Sequence, residues 1–242
     1  MKKSYIRPSK LPQTFPVFCV GKKDSSKRMV INYYNLNDQT IKNNYPLPLI
    51  TELIDNMGSK KVFTKMDLRW GFNNVRIKEG DEWKGAFTIY IGSFELMVMF
   101  FGITNSPATF QAMMNKILRD LINKGKVAVF VDDVLVGTEI EKGHDEIVEE
   151  ILRRLEENDL YIKPEKYMWK ARKIRFLEVV IGPNRIEMES EKVEGVLSWL
   201  QLKNVKDVRK FLGLTNYYRR FIKDFAQVAR PMNVLTWKDE KW

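Results

Sequence analysis

The 242-residue chain has few of the residues that build covalent or zinc-based cross-links. It contains one cysteine, Cys19, and one histidine, His144. A single cysteine excludes an internal disulfide framework and fits a reducing compartment, and the Cys/His spacing of a zinc site is absent. His144 stands at a predicted helix start, where we expect a surface residue rather than a metal ligand.

Long apolar runs are also missing. No stretch approaches the roughly 20 residues that span a bilayer, and the N-terminal MKKSYIRPSK lacks the apolar segment of a signal peptide. Internal repeats and low-complexity tracts are absent as well. We therefore expect a soluble intracellular protein that does not bind a membrane.

Positive charge is what the chain has in excess. Lys and Arg number 41 against 31 Asp and Glu, which gives a formal net charge of +10. This balance favours a polyanionic partner such as nucleic acid, although basic surfaces also serve solubility. With 44% hydrophobic residues, the chain can bury a substantial core in one large domain or in several subdomains.

Strand and helix periodicities alternate along the sequence and predict an α+β protein. PVFCVGKKDSSKRMVINYY indicates a hairpin whose basic tip turns at Asp24–Ser26. SPATFQAMMNKILRDLINKG indicates one helix, with Ser106 as its cap and Pro107 in its first turn. The other predicted elements are a helix over Leu47–Met57, a strand over Val62–Leu68, a helix over HDEIVEEILRRLEEN, strands at IRFLEVVI and RIEM, and helices after a subdomain boundary near Met188.

Two adjacent aspartates, Asp132 and Asp133, stand between the apolar runs Val127–Val131 and Val134–Val136. Because both runs are apolar throughout, we expect covered strands joined by a tight turn at the two aspartates. A solvated turn would explain the pair without any function. The alternative is a two-metal site, which needs several carboxylates on rigid elements, and Asp67 at a strand end is the candidate third carboxylate.

Seven segments, in this order, resemble the reverse transcriptases of LTR retrotransposons of the gypsy type, which are related to retroviral polymerases. The segments are KKDSSKRMVINYYNLN, NNYPLPLITELID, FTKMDLRWGFNNVRI, FFGITNSPATFQAMMN, VFVDDVLV, IRFLEVVI and FLGLTNYYRRFI. Together they extend over nearly the whole chain, and seven matches in order are specific. VFVDDVLV resembles the Y-x-D-D hairpin of that family.

The resemblance implies a right-hand polymerase core with fingers, palm and thumb. Residues 1–61 would be fingers, truncated at the N-terminus, together with the fingers–palm junction. Residues 62–188 would be the palm, an antiparallel sheet backed by helices, with some fingers segments and a hairpin similar to a primer grip. Residues 189–242 would be thumb-like helices and the start of a connection. Segments resembling ribonuclease H, protease or integrase are absent, so we expect an excised core or an unusual relative.

The implied activity is RNA-directed DNA polymerisation, a nucleotidyl transfer from deoxynucleoside triphosphates to a primer on an RNA or DNA template. The implied cofactor is a pair of Mg²⁺ ions, with Mn²⁺ as a substitute. The implied location is the cytoplasm, a retroelement particle or the nucleus. Two other functions stay open, namely a weakly active or domesticated nucleic-acid-binding module and a DNA-templated palm polymerase.

The resemblance also assigns roles to individual residues. The metal ligands would be Asp67, Asp132, Asp133 and the carbonyl of Leu68. The nucleotide-binding residues would be Arg28 and Lys22 or Lys23 at the triphosphate, Phe72 beneath the sugar, and Phe101 and Gly102 before the nucleotide-facing helix. The nucleic-acid-binding residues would be Phe130, Val131, Phe176, Leu177, Val179, Arg209, Lys210, Arg219, Arg220 and Lys223, although the last five could instead only keep helices soluble.

Four positions depart from the family pattern. Phe130 replaces the tyrosine of the aspartate hairpin, which removes a hydroxyl and keeps the ring, so we expect altered activity more than loss. Asn32 and Tyr34 replace an aspartate and an arginine that are common after the fingers strand, where we expect a change in fingers contacts. Glu178 replaces a glycine, and we expect an altered fit of the primer grip.

Overall fold

A computed structural model describes residues 5–21 and 27–237, and strands and helices alternate irregularly along them. The strands are β1 (Ile6–Pro8), β2 (Phe15–Gly21), β3 (Lys27–Ile31), β4 (Val62–Asp67), β5 (Phe87–Ile89), β6 (Gly92–Leu96), β7 (Val127–Phe130), β8 (Asp133–Thr138), β9 (Met168–Ala171), β10 (Ile174–Phe176), β11 (Val179–Gly182) and β12 (Arg185–Met188). The α-helices are α1 (Tyr34–Gln39), α2 (Ile50–Gly58), α3 (Ser106–Ile117), α4 (Arg119–Asn123), α5 (His144–Glu157), α6 (Ser190–Leu197), α7 (Val205–Tyr217) and α8 (Phe225–Val234). The predicted α+β class is confirmed.

One five-stranded sheet has the order β1-β6-β5-β2-β3 and is antiparallel except where β2 pairs with β5. The antiparallel pairing of β2 with β3 confirms the two strands of the predicted hairpin, and its predicted turn at Asp24–Ser26 lies outside the described residues. The buried core of this sheet is formed by Ile31, Tyr33, Phe87 and Leu96. Asn32 and Tyr34 are exposed, so these two departures from the family pattern lie outside that core.

A four-stranded antiparallel sheet, with the order β7-β8-β4-β9, lies at the centre of the molecule. Successive side chains of a strand point to opposite faces, and both faces of this sheet are covered. Met66 and Val134 pack on one face with α3 and α5, whereas Phe63 and Leu135 pack on the other face with α2 and β10–β12. Burial on both faces explains why β7 and β8 are almost wholly apolar.

The predicted helix after Ser106 is two helices, because the chain breaks at Leu118, which has φ −109° and ψ 15°. Ser106 is the first helical residue rather than the cap, and its hydroxyl donates to the carbonyl of Phe100. The predicted apolar face is correct, since Phe110, Met114 and Leu118 are buried. After the break, Leu121 of α4 is buried as well.

His144 is fully buried, so the expectation of a surface histidine is wrong. Its Nδ1 and Nε2 atoms lie 2.8 Å from the hydroxyl oxygens of Thr138 and Thr64, respectively. Thr138 donates its proton to the carbonyl of Ile140, so it accepts from Nδ1–H, and Thr64 donates to Nε2. Burial lowers the pKa of His144, because it removes the charged imidazolium form from water. The neutral ring already satisfies both threonine neighbours.

After β12 the described chain is helical, and α6 begins close to the predicted boundary at Met188. The side chain of Asn204 caps α7 by accepting from the backbone N–H of Asp207 at 3.0 Å. None of the helices in the described ranges combines the length and the apolar character needed to cross a bilayer.

We predict that His144 titrates below the ordinary histidine pKa of about 6.5 in the folded protein. Its neutral form is favoured by folding, so this contribution to the free energy of unfolding is present above pH 6.5 and is lost as the pH falls below that value. The chain has one histidine, so a proton NMR titration reports this ring alone. The His144→Gln variant should show a flatter dependence of unfolding free energy on pH between about 5 and 7. A measured pKa at or above 6.5 would contradict the buried neutral ring.

Candidate active site

Two carboxylates face each other across the central sheet. Asp67 ends β4 and Asp133 begins β8, and their Cα atoms are direct partners in the antiparallel register. Asp67 is buried and Asp133 is half-buried. Like charges placed directly opposite each other on a sheet are unfavourable, so this arrangement needs compensation from nearby cations.

The hairpin between β7 and β8 turns at Val131 and Asp132, because Phe130 pairs with Asp133. The prediction that both aspartates form the turn is therefore wrong by one residue. Val131 has φ 55°, a left-handed conformation that is strained for a β-branched side chain. The fully buried amide of Gln111 holds the turn, since it accepts from the Val131 N–H at 2.7 Å and donates to the Val129 carbonyl at 3.2 Å.

Asp132 remains close to the end of β4. Its carbonyl accepts from the backbone N–H of Leu68 at 2.9 Å. Its side chain lies against Gly71, where an added Cβ would be 3.6 Å from the Cβ of Asp132. Gly71 has φ 34°, so a side chain there would be strained as well as close to Asp132.

Two lysines supply the compensating charge. The Nζ of Lys65 lies 3.5 Å from Oδ1 of Asp67 and 3.2 Å from Oδ1 of Asp133. The Nζ of Lys166 lies 3.0 Å from Oδ2 of Asp67. The Lys65 side chain is 20% exposed and the Lys166 side chain is 59% exposed, so Lys65 is the more shielded partner.

The two carboxyl groups differ in acidity because their surroundings differ. Burial opposes ionisation of Asp67, but the ammonium groups of Lys166 and Lys65 and the Asp133 carboxyl together hold its pKa below the ordinary value. Burial, with the negative charge of Asp67 nearby, raises the pKa of Asp133 to about 6 even though Lys65 opposes the rise. The pair therefore carries less than its full negative charge in weakly acidic solution.

The donor set fits a hard divalent cation. Oδ1 of Asp67 is buried and accepts no hydrogen bond, which is unusual for a carboxylate oxygen in a folded protein. Oxygen ligands of this kind are what Mg²⁺ and Mn²⁺ prefer. Across the described ranges, however, no three His, Cys, Asp or Glu side chains are grouped so that they could hold a metal. The fold thus brings Asp67 and Asp133 together, whereas the Asp132 carboxylate lies nearby but does not form a three-carboxylate cluster with them.

A row of rings connects the segment after β4 to the predicted fingers hairpin. Phe72 contacts Phe101 and Phe110 edge-to-face, with ring centroids 5.3 Å and 5.8 Å apart. The guanidinium of Arg28 lies over the Phe101 ring, 5.5 Å from its centroid. Three residues that were predicted to bind nucleotide, Arg28, Phe72 and Phe101, are therefore neighbours.

The other two groups predicted to hold nucleotide have different outcomes. Gly102 adjoins Phe101 and has φ 96°, and its carbonyl accepts from the Asn37 side chain at 2.7 Å. Lys22 and Lys23 lie outside the described residues.

The hairpin predicted as a primer grip requires a correction. Phe176 and Val179 are buried in the core that includes Tyr218, so they cannot contact nucleic acid while this core is intact. The turn residues Leu177 and Glu178 have φ 47° and 64°. Tyr217 donates to the Leu177 carbonyl at 2.6 Å, and Lys192 forms an ion pair with Glu178.

The five basic residues predicted to contact a duplex are all exposed, namely Arg209, Lys210, Arg219, Arg220 and Lys223. Arg220 pairs with Asp55 of α2 at 2.6 Å, and Arg209 donates to the Thr236 carbonyl at 3.2 Å. Lys210 lies 3.7 Å from Asp207. Arg219 and Lys223 form no ion pair within the part of the chain that is described.

Sequence reasoning missed three residues of this site. Lys65 precedes Asp67 by two positions, and strand periodicity alone could have placed both on one face. Lys166 and Gln111 reach the site only through tertiary contacts, from the segment before β9 and from α3. No local sequence signal marks either residue.

Comparison with known proteins bears on this arrangement. Residues 20–181 match the family model for reverse transcriptase (RNA-dependent DNA polymerase). The Tf2-3 and Tf2-7 transposon polyproteins of Schizosaccharomyces pombe are each 36% identical to the chain over 242 residues. These matches cover 100% of this chain and 18% of each polyprotein, so the chain spans less than a fifth of the length of these relatives.

Solved structures share the fold. The foamy viral protease-reverse transcriptase in complex with dsDNA matches with a TM-score of 0.90 and 24% identity, over 100% of this chain and 51% of that chain. The same viral protein in complex with an RNA/DNA hybrid matches with a TM-score of 0.87 and 24% identity, over 100% of this chain and 33% of that chain. The chain thus has the fold of a right-hand polymerase core, with antiparallel sheets backed by helices.

We predict that Asp133→Asn raises the stability of the metal-free protein. The folded pKa of Asp133, about 6, exceeds the unfolded value of about 3.9, so folding disfavours ionisation of this carboxyl. The free energy of unfolding therefore falls as the pH rises from about 4 to 6. At pH 8 with a chelator, urea denaturation should show a gain of about 1 to 3 kcal/mol, and the gain should shrink toward pH 4. The matched control is Asp132→Asn in the turn, which should change stability less. A loss of stability for Asp133→Asn at pH 8 would contradict the prediction.

Proposed function

Because the chain belongs to the reverse transcriptase (RNA-dependent DNA polymerase) family, we propose that it is the core of an RNA-directed DNA polymerase. This enzyme would be a nucleotidyltransferase that adds deoxynucleotides to a primer 3′-hydroxyl. The observation that carries the proposal is the opposed pair of Asp67 and Asp133, with a buried oxygen of Asp67 left without a hydrogen bond. Such a pair is costly without nearby cations, which Lys65 and Lys166 supply here and which bound metal ions would supply in the active enzyme.

We also propose which type of mobile genetic element encodes the chain. A gypsy-type LTR retrotransposon is supported by the order of the seven sequence segments and by the 36% identity to transposon polyproteins. The single cysteine fits an intracellular site of action, in the cytoplasm, in a retroelement particle or in the nucleus.

The proposed subdomains are fingers in residues 1–61, palm in residues 62–188 and thumb in residues 189–242. The five-stranded sheet joins β5 and β6 to β2, which supports the inclusion of some fingers segments within the palm range. The central four-stranded sheet carries Asp67 and Asp133 and would be the palm sheet.

The metal site would consist of Asp67, Asp132 and Asp133, with the carbonyl of Leu68 as a further ligand. Their hard oxygen atoms would hold two Mg²⁺ ions, with Mn²⁺ as a substitute. When bound, the ions would lower the pKa of the primer hydroxyl and offset charge during in-line attack on the α-phosphate, with release of pyrophosphate. The chain itself contributes rigid carboxylates on paired strands and the nearby ammonium groups of Lys65 and Lys166.

The nucleotide would lie between the aspartates and the fingers hairpin. Arg28, which lies over the Phe101 ring, would contact the triphosphate, and Phe72 would lie beneath the sugar. Gly102 would let the backbone approach the base or sugar, since it adds no side chain beside Phe101.

A primed RNA or DNA template is the proposed macromolecular partner. The solved structures that share the fold include complexes with dsDNA and with an RNA/DNA hybrid, which supports a duplex partner here. The sequence of the new strand would be set by base pairing with the template, so the protein would contact the sugar–phosphate backbone and recognise the shape of the duplex. Of the basic residues predicted to contact the duplex, Arg219 and Lys223 would be the candidates for phosphate contact, because Arg220 is paired with Asp55.

Primer extension tests this function directly. The unmodified chain should extend a primer on an RNA template when Mg²⁺ is present and stop when a chelator is added. Asp132→Asn should reduce the rate about a thousandfold or more, because the charge that it removes would hold a metal worth several kcal/mol to the transition state. Duplex affinity should stay within about threefold, because it depends on many phosphate contacts.

The matched control is Asp38→Asn, an exposed aspartate on α1, which should extend at the unmodified rate. Extension by Asp132→Asn at the unmodified rate would rule out the assignment. Duplex binding by an unmodified chain that never extends a primer would favour the binding-module alternative. Extension on DNA templates but not on RNA templates would favour a DNA-templated polymerase.

We further predict that Phe72→Val raises the incorporation of ribonucleotides relative to deoxyribonucleotides. The Phe72 ring would exclude a 2′-hydroxyl by steric contact, and its removal would open that space. The ring also packs on Phe101 and Phe110, so its truncation should cost up to about 3 kcal/mol of stability. Steady-state incorporation of each matched nucleotide pair by folded protein gives the ratio.

The control is Phe87→Val, which removes a buried ring from the five-stranded sheet without touching the row of rings at the site. It should lower stability and leave the ratio of the two efficiencies unchanged. An unchanged ratio for Phe72→Val would assign Phe72 to the core alone.

A further inference from the structure

Lys65 occupies a position that the sheet geometry makes specific. It precedes Asp67 by two residues on β4, so both side chains leave the same face of the strand. Its Cα partner on β8 is Leu135, which makes Asp133 its diagonal neighbour across the ladder. The ammonium group therefore reaches both carboxylates, at 3.5 Å from Asp67 and 3.2 Å from Asp133.

The oxygen atoms that Lys65 faces are the ones that matter for a metal. Both of its contacts are with Oδ1 atoms, and Oδ1 of Asp67 is the buried oxygen without a hydrogen bond. Lys166 approaches from the other side, because its ion pair is with Oδ2 of Asp67. Lys166 is also three times as exposed, at 59% against 20%. Lys65 alone bridges the inner edges of the carboxylate pair.

A bridging ammonium group and a divalent cation compete for the same oxygen atoms. The ammonium is a compact charge on a flexible four-carbon stem, so it can withdraw without movement of the backbone. While it is in place it offsets one of the two negative charges, and a cation of higher charge offsets both. The carboxylates themselves are fixed by the paired strands and need not move in the exchange.

We propose that Lys65 is a positioning residue that serves as a built-in counterion. Its ammonium group holds Asp67 and Asp133 side by side in the metal-free protein and is displaced from them when a divalent cation binds. The proposal rests on the metal site of the proposed function. It has two linked consequences: Lys65 stabilises the metal-free chain, and it weakens the binding of the metal.

The test is Lys65→Met, which keeps the length of the side chain and removes its charge. Mn²⁺ is the probe, and its binding to the full chain without nucleic acid is followed by electron paramagnetic resonance of the free ion. We expect the Mn²⁺ dissociation constant to fall about tenfold. A neighbouring cation weakens proton binding by a carboxylate at least about tenfold, and we expect a similar effect on metal binding. In chelator, the unfolding midpoint should fall by about 5 °C, and saturating Mn²⁺ should remove most of this difference.

Two control variants isolate the charge and the position. Lys65→Arg keeps the charge, so the chelated midpoint and the Mn²⁺ dissociation constant should stay near those of the unmodified chain. Lys166→Met removes the more exposed cation and should change the Mn²⁺ dissociation constant by less than about threefold. A similar effect from both lysines would mean that general charge, rather than the bridge, sets the affinity.

The proposal is overturned if Lys65→Met lowers the midpoint equally with and without Mn²⁺ and leaves the dissociation constant unchanged, because Lys65 would then only pack. It is also overturned if neither protein binds Mn²⁺. If Lys65→Met does not fold, the double variant Lys65→Met with Asp133→Asn decides, since one carboxylate needs no bridging counterion. Because Asp133→Asn alone is expected to raise stability, the double variant is compared with Asp133→Asn: equal unfolding midpoints in chelator support the bridge, and a clearly lower midpoint of the double variant overturns it.

Primer extension by the same preparations separates this inference from the proposed function. A chain that never extends a primer but binds Mn²⁺ more tightly after Lys65→Met would retain the counterion and lose the polymerase assignment. A chain that extends primers but shows no change in Mn²⁺ affinity would retain the polymerase assignment and lose the counterion.

Discussion

The opposition of Asp67 and Asp133 across β4 and β8 is the constraint on which the surrounding structure depends. Two carboxylates fixed at partner positions repel each other, so the strands that carry them must be held by something stronger. Apolar cores on both faces of the central sheet provide that stability, through Met66 and Val134 on one face and Phe63 and Leu135 on the other. The two aspartates thus lie at the ends of strands whose other residues pack on both faces of the sheet.

A second constraint is the turn that presents Asp132. Val131 adopts a left-handed conformation that its branched side chain disfavours, and such strain persists only where the surroundings determine the backbone. The buried amide of Gln111 does this, because it satisfies backbone groups on both sides of the turn. Loss of this amide would leave buried polar groups unpaired, which generally costs about 1 to 3 kcal/mol each. The orientation of Asp132 therefore depends on α3 as much as on its own hairpin.

Local patterns account for most of the elements and for the identity of the aspartates, because strand alternation and helical periodicity survive in this sequence. They fail where tertiary contacts decide the outcome. The break at Leu118 falls where Leu118 and Leu121 are both buried, and no Gly or Pro marks it. His144 resembles a surface residue in sequence, but its threonine partners come from strands that only the fold brings together. Lys65 could have been found from its spacing to Asp67, whereas Lys166 could not.

Tertiary contacts also fix the five-stranded sheet relative to the aspartates. Segment 100–105, before α3, is hydrogen-bonded to the residues that follow β3. Asn37 exchanges hydrogen bonds with Gly102 and Thr104, and Asn105 donates to the carbonyl of Ile41. The ring of Phe101 lies in this joint and contacts both Arg28 and Phe72. Hydrogen bonds thus hold this joint between segment 100–105 and the residues after β3, and the ring of Phe101 links the joint to Arg28 on one side and to Phe72 on the other. The separation between Arg28 and the carboxylates therefore depends on residues other than the aspartates, and a change in this joint would alter that separation without altering Asp67, Asp132 or Asp133.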